Sequence, residues 1–488
     1  MVNKNNKKNI KKKEENKRNK DINKNVEISK HIDIDALKKL ADYAVKKGAS
    51  EAEVFALAGS SAKLSIEKNY VNFASSKIVK GIGIRVIMSN RLGFSYATDL
   101  SKGEDAVEKA LALSRLGDES KYSFPEIKKY PDVKKLYDKS IPELTPEAVL
   151  DIADEMVDSA RSISPKIDVT SGAIGYGEEF FAIVNTNGVC VECAGTEIGA
   201  QISTVMKDKT TTTGSDYGSS RLFKKKYLDV SVLGKNAAKL ALETQDAKKL
   251  DKEAKIVVFT PMVVSNFAEF LIGPALVGDA VSKGESPYSG KIGSKVAVET
   301  LSIIDDGVLE NGLNSAYMDD EGVPSQKNEL IVNGILKNFI YSSKDAFDNK
   351  TKSSGNAMRC ERFSSSRTYR APPTVKARNL ILSAKGKTYS LDKMIKEIDN
   401  GVVVYDVMGA HTANPASCDF SVNSSTLFKI EHGKIAYPIK QAMLSGNIVK
   451  ALENIVLFGS DVRMLPGSLT PTCVVTPSIA FEGIKVTG

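Results

Sequence analysis

Leu37, Leu40, Ala41, Ala44 and Val45 recur at helical spacing, with Asp33 or Asp35 placed to cap the start and Gly48 just past the end. The chain's first element is therefore predicted to be an amphipathic helix. Two-residue alternation then takes over at residues 52–58, 62–67, 81–88 and 94–98, with Ser89-Asn90-Arg91 as a hairpin turn between the last two. Residues 105–116 return to helix, and a polar stretch over 122–139 closes this first unit. Thr145-Pro146-Glu147 starts a second helix whose buried face is Ile152, Ala153, Met156, Val157 and Ala160. Strands are predicted at 167–170, 180–185 and 189–193, the last two joined at Asn187-Gly188, and a further one at 198–206. Residues 210–217 read as a polar loop, Val230, Leu233, Ala237, Leu240 and Ala241 as another helix, and 246–253 as a linker.

Beyond Lys255 the pattern is of short strands broken by Gly, Pro and Asn, at 303–304, 329–332, 336–341, 379–382, 402–407, 420–430 and 435–438. Asn333-Gly334 and His432-Gly433 mark two hairpins. The predicted fold class is α+β. A mixed amino-terminal half of antiparallel sheets and helices, in domains at 31–120 and 121–245, precedes a β-rich, barrel-like domain at 253–488. The most apolar stretch, 256–278, contains Pro261, Asn266, Glu269 and Pro274. A charge at the centre of a membrane span costs about 2.5–3.5 kcal/mol, so a buried strand followed by a buried helix is the better reading.

Composition changes this picture at one end only. The formal net charge is +8, but residues 1–30 hold 11 Lys and Arg against 4 Asp and Glu, which leaves the rest of the chain nearly neutral. That Lys- and Asn-rich tail has too little apolar surface to fold and is expected to be a disordered, solvated extension, with no nucleic-acid partner and no secretory signal. Five cysteines in 488 residues imply a reducing compartment, and the protein is expected to be cytoplasmic.

Candidate chemistry is sparse. The three histidines, His31, His411 and His432, form no metal-ligand spacing with one another. His411 is near Cys418 and Asp419 in sequence, but a Cys-His nucleophile needs contact in space, and a structural role is the expected one. Cys190-Val-Glu-Cys193 lies within an alternating strand and is expected to be ordinary burial, not a metal or redox site. Gly81-Ile-Gly83 lacks the third glycine of a dinucleotide fingerprint and reads as twisted strand. Asp305, Asp306, Asp319, Asp320 and Glu321 could ligate a hard cation, although their spacing is not that of an EF-hand. Loop solubilisation or subunit contacts are expected of them instead.

Several motifs recur in order. They are Gly81-Ile-Gly83-Ile-Arg85, Val184-Asn-Thr-Asn-Gly188, Asp305-Asp306-Gly307, Asp319-Asp320-Glu321-Gly322-Val323-Pro324, Leu330-Ile-Val-Asn-Gly-Ile-Leu336 and Ser354-Gly-Asn356. From about Ile34 to Gly488 the chain thereby resembles the TldD/PmbA metallopeptidases. Catalytic members of that family carry HExxxH followed by Gly-Asp, in which two imidazoles on successive helical turns hold zinc. Alignment on Gly278 and Asp279 puts Glu269 and Phe270 at the His-Glu pair and Pro274 at the second His. Pro274 should also kink or stop the helix. The family's third ligand, a cysteine, falls near Arg463, about ten residues from Cys473.

The resemblance therefore implies a zinc-less, TldE/PmbA-type subunit, non-catalytic alone. Zinc would reside only in a TldD-type partner, and the pair would degrade or process unfolded peptides. It implies no metal or other cofactor in this chain and no membrane. Asp279, Asp319, Asp320, Glu321 and His411 are the residues expected to face a channel or cleft. A regulatory binding protein of the DNA gyrase modulator type is the alternative, and a hydrolase built on Cys418 and His411 a third.

Overall fold

The structure, a computed structural model, describes residues 32–488 apart from Asp118 and Lys209, and of Phe73 the backbone only. The basic tail and His31 lie outside the described residues. Asp33 caps the helix Ile34–Lys46 by accepting the Ala36 N–H at 3.0 Å, and the chain leaves it through Gly48 at a φ of +106°.

Six strands follow, β1 (Glu51–Glu67), β2 (Tyr70–Met88), β3 (Arg91–Ala97), β4 (Ile167–Asn185), β5 (Cys190–Lys207) and β6 (Thr211–Ser220), in the sheet order β3-β2-β1-β4-β5-β6. Left-handed residue pairs make two of the tight turns, Lys68-Asn69 and Ser89-Asn90. At the Asn187-Gly188 turn, Asn185 Oδ1 accepts the N–H groups of Asn187 and Val189. The chain divides into two compact units, one of residues through Gly59 with Ile78–Ile127 and Glu179–Ala194, the other of Ser60–Lys77, Lys128–Glu178 and Gly195–Gly488. The strands β1, β2, β4 and β5, 17 to 19 residues long, each contribute residues to both units.

In the first unit, β3 meets the helix Gly103–Ser114 at Gly93, where a β-carbon would collide with Ala110 O. Its core holds the ion pair of Arg85 with Glu53, bonded through Nε at 2.8 Å and Nη2 at 2.6 Å, with both side chains buried.

In the second unit, the helices Pro146–Arg161 and Val230–Glu243 cross where Gly234 leaves room for Met156 O. Residues 210–217, read from sequence as a loop, belong to β6, which pairs with β5 from Thr211 to Ser220. The polar composition is what the packing needs. Gly214 lets the helix approach to the backbone at Ala237, and the hydroxyls of Thr204 and Thr212 donate to Ala237 O and Ala241 O.

The β-rich region after Lys255 is built of open sheets rather than the expected barrel. One six-stranded sheet runs Ile335–Leu336, Lys327–Val332, Leu301–Asp306, Asn379–Ala384, Cys473–Thr476, Arg463–Leu465. Another runs Lys434–Ile439, Leu427–Glu431, Asn400–Val404, Ile256–Phe259, Ile479–Glu482, Ile455–Phe458. A three-stranded sheet joins Asp419–Ser424, Ala442–Asn447 and Lys485–Thr487. Each large sheet contains one parallel pair, Ile256–Phe259 with Asn400–Val404 and Asn379–Ala384 with Cys473–Thr476. Both join distant parts of the sequence, so local turn signals could not reveal them. Val257 and Phe259 face a large core shared by these sheets and the segment after Thr260, while Val258 and Val403 pack on the other side with Met394 and Ile395. No helix among the described residues is long and apolar enough to cross a membrane.

Candidate functional site

The strand Ile256–Phe259 leads through Thr260 and Pro261 into a helix that runs inside the core. Val263, Val264, Phe267, Leu271 and Ile272 are all buried, as a helix enclosed by sheets requires. The segment does not stay α-helical. Pro261–Phe267 is α, Ala268–Ile272 is a π turn in which Gly273 N–H bonds Ala268 O, and Gly273–Ala275 resumes α before the chain turns. Pro274 has no N–H to give, and the helix ends within two residues of it, as the proline predicts.

Glu269 is the only charged residue in that run and is 4% exposed. Its two oxygens are saturated by one loop. Oε1 accepts the N–H groups of Leu469 (2.9 Å) and Thr470 (2.8 Å) and the Thr470 hydroxyl (3.1 Å). Oε2 accepts the Ser468 N–H (3.0 Å) and hydroxyl (3.1 Å). Phe270 and Pro274 are half-buried, and the Phe270 ring meets the exposed His411 edge-on at 6.1 Å between centroids. Arg463, where the family's third ligand is expected, instead bonds Asp216 Oδ1 at 2.8 Å and donates to Tyr217 O at 2.6 Å. The Tyr217 phenol nearby is pushed up to about 12 by burial, against the Arg463 charge and with that of Glu269.

Asp279 opens the short helix Gly278–Ser282 and pairs with Lys283 at 2.7 Å, half-buried. Asp319, Asp320 and Glu321 were expected at a channel or on a solvated loop. They are buried instead, a correction whose reason is their hydrogen bonding. Asp319 accepts the N–H groups of Glu321, Val323 and Ala357, Asp320 those of Arg359 and the Arg367 Nε, and Glu321 that of Ser343. Asp305 accepts the Arg378 N–H and an Asn356 amide hydrogen, and its carboxyl is pushed up to about 6 by burial. These carboxylates organise the loops that join the strands.

The nucleophile reading fails on geometry. Cys418 is fully buried with its Sγ 3.3 Å from Pro415 O, and burial pushes its thiol up to about 12, whereas His411 lies at the surface. His432 is exposed in its turn beside Asp399. Of the CxxC pair, Cys193 is buried as expected but Cys190 is exposed, and both are free thiols.

The residues that the resemblance aligns with HExxxH do not fit zinc. Both Glu269 oxygens are taken by donors, Phe270 is hydrocarbon, and Pro274 offers no ligand atom. Among the described residues, no group of three or more His, Cys, Asp and Glu side chains is placed to hold a metal ion. Sequence reasoning missed the loop at 467–470, because nothing in Gly467-Ser-Leu-Thr470 points to a carboxylate about 200 residues earlier. The only signal was a lone charge in an apolar run, which had to find donors somewhere.

Comparisons with known proteins identify the family of the chain. Residues 253–488, 139–245 and 52–114 match the PmbA/TldA metallopeptidase C-terminal domain, central domain and domain 1. An uncharacterized protein of Methanocaldococcus jannaschii is 31% identical over 447 residues, 92% of this chain and 99% of that one. A metalloprotease TldD homolog of Buchnera aphidicola is 28% identical, covering 84% of this chain and 86% of its own. The crystal structure of TldE from Thermococcus kodakarensis superposes with a TM-score of 0.84 at 25% identity, covering 93% of this chain and 100% of that one.

Proposed function

Because the chain belongs to the TldD/PmbA metallopeptidase family, we propose that it is a zinc-less, TldE-type subunit that works beside a zinc-bearing, TldD-type partner on unfolded peptides. One observation carries this reading: Glu269, at the first position of the zinc motif, spends its carboxylate on loop 467–470. Loss of ligands alone would fit a decayed enzyme. A buried charge with five donors arranged around it is a built structural feature, since an unpaired carboxylate there would be strongly destabilising. The role is then positional: the subunit shapes the entry to the partner's site, and an extended chain is read through its backbone, which tolerates any sequence.

The test is to mix this protein with a purified TldD-type protein and follow cleavage of an unfolded polypeptide. This chain alone should cleave nothing. The mixture should cleave unfolded chains and spare folded ones. A TldD-type protein that is equally active and equally selective without this chain would refute the proposal.

A further inference from the structure

We propose that Glu269 is a carboxylate latch: it fills an anion-binding nest in loop 467–470 and holds that loop shut over the π turn. The inference rests on the geometry of this chain and does not depend on the metalloprotease reading. Three successive backbone N–H groups, of Ser468, Leu469 and Thr470, converge on one carboxylate, and the hydroxyls of Ser468 and Thr470 complete the set. Consecutive N–H groups turned to one point form a nest, a concavity suited to an anion. A neutral amide of the same shape would turn an N–H₂ toward backbone donors, which cannot reverse their role.

The turn is built for this contact. Gly467 allows it, since a β-carbon there would collide with Thr470 O and Thr472 O and come within 3.2 Å of Glu269 Oε1. The loop joins the antiparallel strands Arg463–Leu465 and Cys473–Thr476, which fix its two ends. Its far end is tied again by Asn314 Nδ2 to Pro471 O and by the Thr472 hydroxyl to Ala377 O. Its centre is tied to the core through Glu269. Glu269 itself sits on the π turn Ala268–Ile272, an irregularity frequent at functional sites.

Two consequences follow. The loop's position is set by a covalently attached anion, so it holds whether or not any ligand is near. A freed nest should also accept a small carboxylate in place of the side chain, and acetate is the probe.

Hydrogen exchange on the full-length chain tests both. In the wild type, the amides of Ser468, Leu469 and Thr470 should exchange as slowly as those of neighbouring strands. Glu269→Ala should speed them by about a hundredfold, the order expected when a charge-assisted contact is lost. Acetate should slow them again in a saturable way that chloride at equal ionic strength does not reproduce. Unchanged exchange in Glu269→Ala, or a folded Glu269→Ala that ignores acetate, overturns the proposal. Should the variant not fold, the wild-type measurement decides: open-loop exchange rates at these three amides overturn the latch, and strand-like protection supports it.

Discussion

Gly278 lies flat against the ring of Tyr341: a β-carbon on the glycine would fall well inside 3.0 Å of the ring carbons Cε1, Cζ and Cδ1. The Gly278 N–H bonds Ile340 O at 2.9 Å, so backbone and ring fix the approach together. This gives a packing reason for the glycine of the Gly-Asp pair. The Gly278→Ala substitution should force the ring or its backbone aside and cost about 1–3 kcal/mol, the usual penalty for overpacking. Denaturant unfolding measures it, and a loss below about 0.5 kcal/mol would show that the ring yields freely.

The buried pair of Arg85 and Glu53 makes a second prediction, for the first unit. Arg85 also stands over the Phe124 ring at 5.0 Å. Arg85→Met removes the guanidinium from the buried Glu53 carboxylate and should destabilise by about 3–5 kcal/mol. The double variant Arg85→Met with Glu53→Leu should recover much of that, because no charge is then left buried. Equal losses in the single and double variants would place the effect in packing alone.

Stability should also depend on pH through the buried carboxylates of the β-rich region. Burial lifts Asp305 from 3.8 to about 6 in the folded chain. The folded state therefore keeps a proton that the unfolded chain gives up, so the stabilisation is full below pH 3.8 and is lost as pH rises through about 6. Asp319 is shifted in the same direction, by burial first and the Glu321 carboxylate second, and widens the window upward. The gap in unfolding free energy between wild type and Asp305→Asn should change by up to about 3 kcal/mol from pH 4 to pH 7, at the wild type's expense. Urea titrations across that range would contradict this if the gap stayed constant.

Much of this architecture can be read from the chain. Asp33, Thr145, Ser89-Asn90, Asn187-Gly188, Asn333-Gly334 and His432-Gly433 act through local backbone chemistry, and each turn or cap lies where its residues imply. What could not be read depends on partners far away in sequence. β6 is polar and becomes a strand because β5 supplies its ladder and a helix covers its small residues. Residues 420–430 look like one strand but serve two sheets, breaking where Asp406 accepts the N–H groups of Ser425 and Thr426. The site shows the same limit. That no histidine stands at the aligned positions Glu269, Phe270 and Pro274 is visible in the sequence, whereas the loop that occupies Glu269 and the burial of Asp319, Asp320 and Glu321 are products of tertiary pairing.

Restoring the motif by Glu269→His, Phe270→Glu and Pro274→His should not create a zinc site. The first change strips the nest of its anion and leaves three backbone N–H groups and two hydroxyls facing an imidazole. Such losses cost about 1–3 kcal/mol for each buried group left unpaired. A third ligand is also lacking. Arg463 is engaged with Asp216 and Tyr217, and Cys473 is buried in its strand with a thiol pushed up to about 12, far from the thiolate that zinc requires. The triple variant should be less stable than the wild type, hold well under about one zinc per chain after dialysis, and cleave no unfolded polypeptide. Metal analysis and unfolding curves on the same sample check this, and a stoichiometric zinc with unchanged stability would show that the loop can be rebuilt around the metal.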